Sequence, residues 1–187
     1  MPLLRRLART LAQSEPDDGA SVHPSEDRYY EQRMVRALMI AYADIDEAQR
    51  IWRLEQFLPY IDNWAICDSL STTLKQARKD PIRYRTFIET HLPSSDTFTS
   101  RFAIVLLLQH FMSAQWMSEN LTLLETVTSD HYYVKMAVAW AAATAYRVSP
   151  DMVGLWMNCS LTDARTRAMA AQKIRDSQRS RIQNPAP

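Results

Sequence analysis

The chain has 187 residues, of which 47% are hydrophobic and 23% are charged, and its net charge is +1 at pH 7. This balance is typical of one folded domain with a sizeable apolar core, and it excludes a chain that is disordered throughout. Because the net charge is close to zero, a surface that binds anions must come from local clusters of basic side chains.

Residue types that support cofactor chemistry are scarce. Gly19 and Gly154 are the only glycines, which argues against glycine-rich loops that bind phosphates or dinucleotides. Cys67 and Cys159 stand alone, so no disulfide framework and no zinc spacing is predicted, and a reducing cytoplasm is the expected location. The four histidines lack the spacing of metal ligands. We therefore expect no metal and no cofactor.

The N-terminal residues do not have the pattern of a signal peptide. Between residues 2 and 13, leucines alternate with Arg5, Arg6 and Arg9, which predicts an amphipathic helix instead of an apolar segment. A polar loop is predicted at residues 14–24. No run of about 18 apolar residues occurs anywhere, so no membrane-spanning helix is expected.

From this loop onward, apolar residues recur at helical spacing, and no segment shows the alternation of a strand. Short polar residues and prolines mark the helix starts. In the first half of the chain, the predicted helices run from Ser25 to about Tyr42, from Asp46 to near Pro59, from Asp62 or Asn63 to about Arg78, and from Asp80-Pro81 to a point before Pro93. In the second half they run from Asp96 to Met112, from Ser118 to Val127, from Tyr132 to Tyr146 after Asp130, from Ser149-Pro150 onward, and from Thr162-Asp163 to about Ser180.

About ten helices joined by short loops leave two architectures open: a globular bundle or a right-handed stack of helix pairs. Trp64, Arg101 and Trp140 are separated by 37 and 39 residues, close to the repeat of about 40 residues in HEAT-like proteins. In such a stack the equivalent helices line one concave face, where these three side chains and Asp68 would converge.

We therefore predict an all-α fold, a superhelical stack of antiparallel helix pairs of the HEAT-like or ARM-like α-solenoid type. A single domain is expected over residues 1–182, followed by a disordered tail at residues 183–187. No clear sign of oligomerisation is present in the sequence, and we expect a monomer.

Trp64 and Asp68 are four residues apart, so they share one face of the helix that Asp62 or Asn63 caps. A carboxylate on the core face of a helix needs a partner or a chemical role. Two interpretations stay open from these residues alone. Either Asp68 is a paired structural acid and Trp64 fills the core, or the two side chains form a functional pair.

Arg101 follows Thr99 and Ser100 near a helix start, where hydroxyl groups and a guanidinium favour anion binding. The alternative is an arginine that stacks on a neighbour or pairs with Asp96. Trp140 lies among alanines, which lets the indole stand clear of its helix or make a tight core contact.

The last predicted helix is rich in basic residues. They are Arg165, Arg167, Lys173, Arg175, Arg179 and Arg181. Only Asp163 and Asp176 offset these six cations, which predicts a stripe that binds phosphates. The alternative is an ordinary solvent-exposed face. Lys135 lies five residues before Trp140.

Three segments in register, Tyr60–Ser69, Arg101–Val105 and Tyr132–Trp140, resemble the AlkD-like DNA alkylation repair family. The stretch Thr166–Arg175 is also similar, and the resemblance extends from about Met1 through Arg181. It implies a HEAT-like superhelix that cradles duplex DNA in its concave face. Glycosylases of this family remove cationic N3- or N7-alkylated purines without a metal or a redox cofactor.

The resemblance assigns roles residue by residue. On the W-x-x-x-D motif, Trp64 and Asp68 take the catalytic positions, and Trp140 supplies a second catalytic indole. Arg101 would hold the backbone phosphate beside the lesion. Together with Arg101, the cations expected to bind DNA are Lys135, Arg165, Lys173 and Arg175. The expected partner is duplex DNA with alkylated bases.

Two features depart from the family pattern. Ala143 occupies the position three residues after the second tryptophan, where the family usually has an arginine. Family members also precede the helix at residues 2–13 with some tens of residues, so we expect one helical pair of the cradle to be missing. Two alternatives to a DNA glycosylase therefore stay open: a catalytically silent HEAT-like module that binds DNA of unusual structure, and a protein-binding helical scaffold.

Overall fold

The computed structural model of the protein describes residues 1–14, 27–161 and 163–183. Within these ranges the regular structure is entirely helical, which confirms the predicted all-α class and the number of helices. The ten α-helices are α1 (Pro2–Ser14), α2 (Tyr30–Tyr42), α3 (Glu47–Phe57), α4 (Trp64–Thr73), α5 (Pro81–His91), α6 (Thr97–His110), α7 (Met117–Glu125), α8 (Tyr132–Tyr146), α9 (Pro150–Cys159) and α10 (Ala164–Gln183). None of them is long and apolar enough to cross a membrane.

The chain divides into two compact units, and the boundary between Phe87 and Ile88 falls within α5. In the first unit α2 packs against α1, α3 and α4; in the second, α8 packs against α6, α9 and α10. Even-numbered helices thus stack on even-numbered helices within each unit. This is the packing of equivalent helices in a helical repeat, and it agrees with the predicted fold class. Single-domain organisation over residues 1–182 stays a prediction.

Most helix starts are capped as the sequence predicts. The Asp46 carboxylate accepts a hydrogen bond from the Gln49 N–H at 2.9 Å, and the Asp96 carboxylate accepts one from the Thr99 N–H at 2.8 Å. Each bond satisfies one of the N–H groups that the first turn leaves without a partner. At α5, Pro81 is the first helical residue, as its fixed φ favours.

The predicted start of α2 near Ser25 is wrong, because the helix begins at Tyr30. The side chain of Gln32 accepts hydrogen bonds from the N–H groups of Arg28 and Tyr29, each at 3.0 Å. The two bonds form the cap of α2, because the side chain of Gln32 in the first turn reaches back to the chain that precedes the helix. The extended segment therefore ends at Tyr29.

Several predicted features lie outside the described residues. They are the cap at Ser25, the loop at residues 14–24 beyond Ser14, Thr162 at the start of the last helix, and the tail beyond Gln183, which is itself the last residue of α10.

The prediction that the fourth helix reaches Arg78 is also wrong, because α4 ends at Thr73. The hydroxyl groups of Ser71, Thr72 and Thr73 each donate to the carbonyl four residues earlier, at 2.7 Å. Such back-bonding competes with the regular ladder and bends helices. Leu74 then leaves the helical conformation with ψ at 59°, and a short 3-10 turn follows.

Ser118 does not cap the seventh helix, because α7 begins one residue earlier at Met117. Met117 is only 1% exposed, and burial of its side chain favours a helix whose N-cap is Trp116, two residues before the predicted cap. Asn120 is completely buried in the same helix and donates to the carbonyl of Phe111 at 2.9 Å. It thereby satisfies a carbonyl at the end of α6.

A buried arginine joins three helices of the first unit. Arg50 is 2% exposed, and its guanidinium donates to the carbonyls of Ile40 and Ala43 at the end of α2. It also pairs with Glu47 at 3.2 Å, and Glu47 accepts the Tyr84 hydroxyl at 2.6 Å. Burial, followed by the bond to Glu47, raises the pKa of Tyr84. The network ties α2, α3 and α5 together.

Candidate functional site

The first turn of α4 presents an indole to solvent. Asn63 caps this helix, and its side-chain oxygen accepts from the N–H groups of Ala65 at 3.0 Å and Ile66 at 3.1 Å. Trp64 is therefore the first helical residue, and it is 51% exposed. An indole that is half in solvent is not core filler, so the structure contradicts that interpretation of Trp64 within this unit.

The start of α4 is tied to α2 through polar side chains. Asn63 donates from its amide to Asp62 at 2.7 Å, and the other carboxylate oxygen of Asp62 pairs with Arg33 of α2. One chain of contacts therefore runs from α2 to the N–H groups of the first turn of α4. It holds the backbone that carries Trp64, which is the kind of support that a preorganised site needs.

Asp68 lies one turn after Trp64 on the same helix and is partly buried. Between them, Ile66 and Cys67 are completely buried, so the opposite face of α4 belongs to the core. The carbonyl of Asp68 accepts the Thr72 hydroxyl at 2.7 Å, which holds this part of the helix. The structure thus brings together one carboxylate and one exposed indole on one helix face.

In the second unit, Arg101 is enclosed by its neighbours. The side chain on α6 is 5% exposed, and its guanidinium donates to the carbonyl of Tyr133 at 2.8 Å. The guanidinium carbon lies 5.9 Å from the centre of the Tyr133 ring. Asp96 acts as the cap of α6. This geometry agrees with an arginine that stacks on a neighbour, while a phosphate contact by Arg101 stays a prediction.

Lys135 is also engaged by the protein. Its ammonium group lies 2.8 Å from the carboxylate of Asp130 and 3.0 Å from that of Asp163, and both hydrogen bonds raise the pKa of Lys135. The pKa of Asp163 is lowered to about 2, chiefly by hydrogen bonds from Thr166 and further by Lys135. These contacts connect the loop before α8 with the start of α10.

Trp140, in the middle of α8, is partly exposed and faces a cleft of about 260 Å³ beside α10. The cleft is lined by Trp140, Ala143, Thr144 and Arg147 on the α8 side and by Lys173, Asp176 and Ser177 of α10. Lys173, which the sequence assigned to a phosphate-binding stripe, is thereby brought next to the second tryptophan.

The other basic residues of α10 have different surroundings. Arg165 is exposed, and its guanidinium carbon lies 5.8 Å from the centre of the Tyr132 ring of α8. Arg175 is exposed and donates to the side chain of Gln172 at 2.6 Å. Arg167 donates to the carbonyl of Leu161. The predicted stripe is therefore divided between cations at the cleft, in solvent and in structural contacts.

Arg147 and Tyr132 were not among the site residues predicted from the sequence. Arg147 follows Ala143 by four residues, so helical periodicity was the available signal for placing both on one face. Tyr132 carried a weaker signal, as an aromatic residue beside a helix start. Within the described ranges, no group of three or more His, Cys, Asp and Glu side chains is arranged to hold a metal ion.

Comparisons with known proteins give one match. No curated protein and no solved structure is significantly similar to the chain. The model of a family described as DNA alkylation repair enzyme matches residues 1–179, which include every predicted site residue. The chain therefore belongs to the DNA alkylation repair enzyme family.

Proposed function

We propose that the protein is a DNA glycosylase that hydrolyses the N-glycosidic bond of cationic N3- or N7-alkylated purines in duplex DNA. Membership of the family supports a role in DNA repair and an enzymatic activity; the reaction and the substrate are our proposal. The observation that carries it is the exposed indole of Trp64 one helical turn from the carboxylate of Asp68.

Hydrolysis of a cationic alkylpurine needs few catalytic groups, which agrees with the small number of such groups at this site. An alkylated purine that already carries a positive charge leaves as a neutral base when the bond to C1′ of the sugar breaks and its electron pair moves to the purine. No general acid is required. The sugar gains oxocarbenium character, which a carboxylate and the face of an indole stabilise. Water then attacks C1′, and Asp68 orients it or accepts its proton.

The remaining predicted residues would hold the DNA. Trp140 would provide the second catalytic indole. The side chains of Arg165 and Arg175 are exposed and that of Lys173 is partly exposed, so they would contact phosphate oxygens at the surface. Arg101 and Lys135 bind phosphate only if they exchange their present acceptors for phosphate oxygens. Those acceptors are the Tyr133 carbonyl and two aspartates. Exposed cations are therefore proposed as the main contacts.

A second candidate function is a DNA-binding module without catalysis. The enclosure of Arg101 and the pairing of Lys135 favour it, because both reduce the number of cations available to a phosphate backbone. Ala143 removes one more cation from the family pattern. Such a module would bind duplex DNA in a salt-dependent manner and would not depend on Asp68. A protein-binding scaffold would show no salt-dependent affinity for DNA.

The test is release of free bases from N-methylated duplex DNA by the purified protein and by Asp68→Asn. We expect the parent to release methylpurines and the variant to do so at least about 100-fold more slowly, while both bind the duplex. Asp44→Asn is the matched control, because Asp44 is an exposed aspartate of the same unit outside any helix.

Three outcomes separate the candidates. Release by the parent and by Asp44→Asn, but not by Asp68→Asn, supports the glycosylase and the role of Asp68. Equal release by all three proteins contradicts that role. A folded parent that binds duplex DNA but releases no base contradicts the enzyme and supports the binding module.

A further inference from the structure

The cleft beside Trp140 contains two cations, Arg147 and Lys173, that have no partner among the residues that the structure describes. Arg147 is exposed and Lys173 is partly exposed. Across residues 27–161 and 163–179, the side chains of these two residues make no hydrogen bond and no ion pair. Both line one cleft from opposite sides, Arg147 just after α8 and Lys173 from α10.

Other cations of the same unit differ from this pair. Arg101 donates to the Tyr133 carbonyl, Lys135 contacts two aspartates, and Arg167 donates to the Leu161 carbonyl. Their donors already have acceptors in the protein. Arg147 and Lys173 retain donors for an acceptor that comes from outside.

The charge of the cleft is positive. Asp176 is the one acidic residue that lines it, and its carboxylate accepts from the Gln172 amide at 2.8 Å. Arg147 and Lys173 therefore outnumber the acid by one charge. A single anionic group with several acceptor oxygens fits this balance, because a guanidinium binds two oxygens at once and an ammonium adds a point charge.

Arg147 also lies close to Ala143, the position at which the family usually has an arginine. Arg147 lies one helical turn after Ala143, and both residues line the cleft with Trp140. The side chain of Ala143 is small and buried, whereas that of Arg147 is exposed at the same cleft.

We propose that this cleft binds one phosphate of the DNA backbone through Arg147 and Lys173, with the indole of Trp140 packed against the adjoining sugar or base. Arg147 thus supplies, from the next turn, the guanidinium that position 143 lacks. The inference rests on the proposed function for its ligand, duplex DNA. An arginine just after the carboxyl end of a helix also interacts favourably with the helix dipole. That interaction involves Arg147 alone and neither Lys173 nor Asp176.

The test is the affinity of the full chain for a fluorescein-labelled duplex, measured by anisotropy at several salt concentrations. Arg147→Ala should weaken binding by roughly 3- to 10-fold and reduce the salt slope by about one. Asp176→Asn should strengthen binding by a few-fold, because it removes the acid of the cleft. Arg28→Ala is the matched control, since Arg28 is an exposed arginine of the first unit, and it should change the affinity little.

A double variant, Ala143→Arg with Arg147→Ala, tests whether the guanidinium is interchangeable between the two turns, and we expect it to recover most of the lost affinity. Arg147→Lys keeps the charge but not the paired donors, so partial loss is expected. If Arg147→Ala does not fold, Asp176→Asn and Arg147→Lys decide the question.

Equal effects of Arg147→Ala and Arg28→Ala, or no gain of affinity with Asp176→Asn, would overturn the inference. Base release measured on the same proteins separates it from the proposed function. If the parent releases no base but the variants bind DNA as expected, the results support the phosphate site and contradict the glycosylase. If the parent releases bases and Arg147→Ala binds DNA like the parent, the results support the glycosylase and contradict the phosphate site. A parent without measurable affinity for duplex DNA contradicts both.

Discussion

The cations near the two ends of α8 have different surroundings. At its amino end, Lys135 contacts two aspartates, and Arg101 of α6 donates to the carbonyl of Tyr133. After its carboxyl end, Arg147 faces a cleft across from Lys173 of α10. The sequence predicted a phosphate contact for Lys135, Arg101 and Lys173 but not for Arg147. The difference teaches that acceptors supplied by the fold reduce the number of cations that are available to a ligand.

The first unit has the extreme case of a cation that the fold itself uses. Arg50 is 2% exposed and donates to carbonyls at the end of α2 as well as to Glu47. Trp64 of the same unit is the opposite case, because its indole is half exposed at the start of a helix. Substitutions that begin with the most buried side chain, Arg50, and end with the half-exposed Trp64 test the comparison through the free energy of unfolding.

The largest effect is expected for Arg50→Leu. The substitution leaves the carbonyls of Ile40, Ala43 and Ile45 without the Arg50 donor and removes the ion pair with Glu47, so the free energy of unfolding should fall by about 3–5 kcal/mol. Urea unfolding followed by circular dichroism measures it. Lys75→Ala is the control, since Lys75 is exposed in the same unit and should change stability by less than about 0.5 kcal/mol. Equal stability of the two variants would contradict the structural role of Arg50.

Arg101→Ala should have the next largest effect. Loss of the guanidinium leaves the Tyr133 carbonyl without its donor, which should lower the free energy of unfolding by about 1–3 kcal/mol. Because the side chain is enclosed, we expect the salt slope of DNA binding to change by less than about one unit. A stable variant whose salt slope falls by one would instead support the phosphate contact that the family resemblance implies.

Asp163→Asn should produce a smaller, pH-dependent effect. The pKa of Asp163 in the folded chain is about 2, below its ordinary value of 3.8. Its charged form therefore adds stability above about pH 4, and this contribution is lost as the pH falls toward about 2. The variant should unfold at a lower urea concentration at neutral pH, and its midpoint should change less than that of the parent between these two pH values.

Asp44→Asn is the control for that measurement, because Asp44 is exposed in a loop of the other unit. Parallel pH profiles of the parent and Asp163→Asn would show that the contacts of Asp163 with Thr166 and Lys135 do not contribute to stability.

The smallest effect on stability is expected for Trp64→Ala. An indole that is 51% exposed buries only about half of its surface, so the free energy of unfolding should fall by about 1 kcal/mol. Base release should nevertheless be lost if Trp64 acts as proposed. Trp52→Ala is the matched control, since Trp52 is 46% exposed on α3 and has no proposed role. A loss of release in both variants would contradict a specific role for Trp64.

Much of the fold is predictable because helix signals are local. The caps at Asp46 and Asp96 and the proline at the start of α5 were identified from short patterns, and the structure has them. The errors arose where a local pattern had a competitor. The helix α4 ends early because three consecutive hydroxyl groups bond to its own carbonyls, and α7 begins early because Met117 is buried.

The candidate site likewise has features that the sequence predicts and features that it does not predict. The spacing of Trp64 and Asp68 on one helix face follows from helical periodicity alone, as does the relation of Ala143 to Arg147. By contrast, periodicity did not distinguish an exposed Trp64 from a buried one. Nor did it show that the basic residues of α10 have unlike surroundings, with Lys173 at the cleft and Arg167 bound to a carbonyl.

The sequence by itself determined the helices, the family and the order of the residues on which the proposed activity depends. Only the tertiary structure decided which of those residues remain available to DNA. The physical reason is the range of the interactions. Helical hydrogen bonds and caps join residues within about four positions, whereas Lys135 meets Asp163 across 28 positions and Arg33 meets Asp62 across 29. Such partners exist only after the helices have packed, and they determine which charges the protein uses for itself.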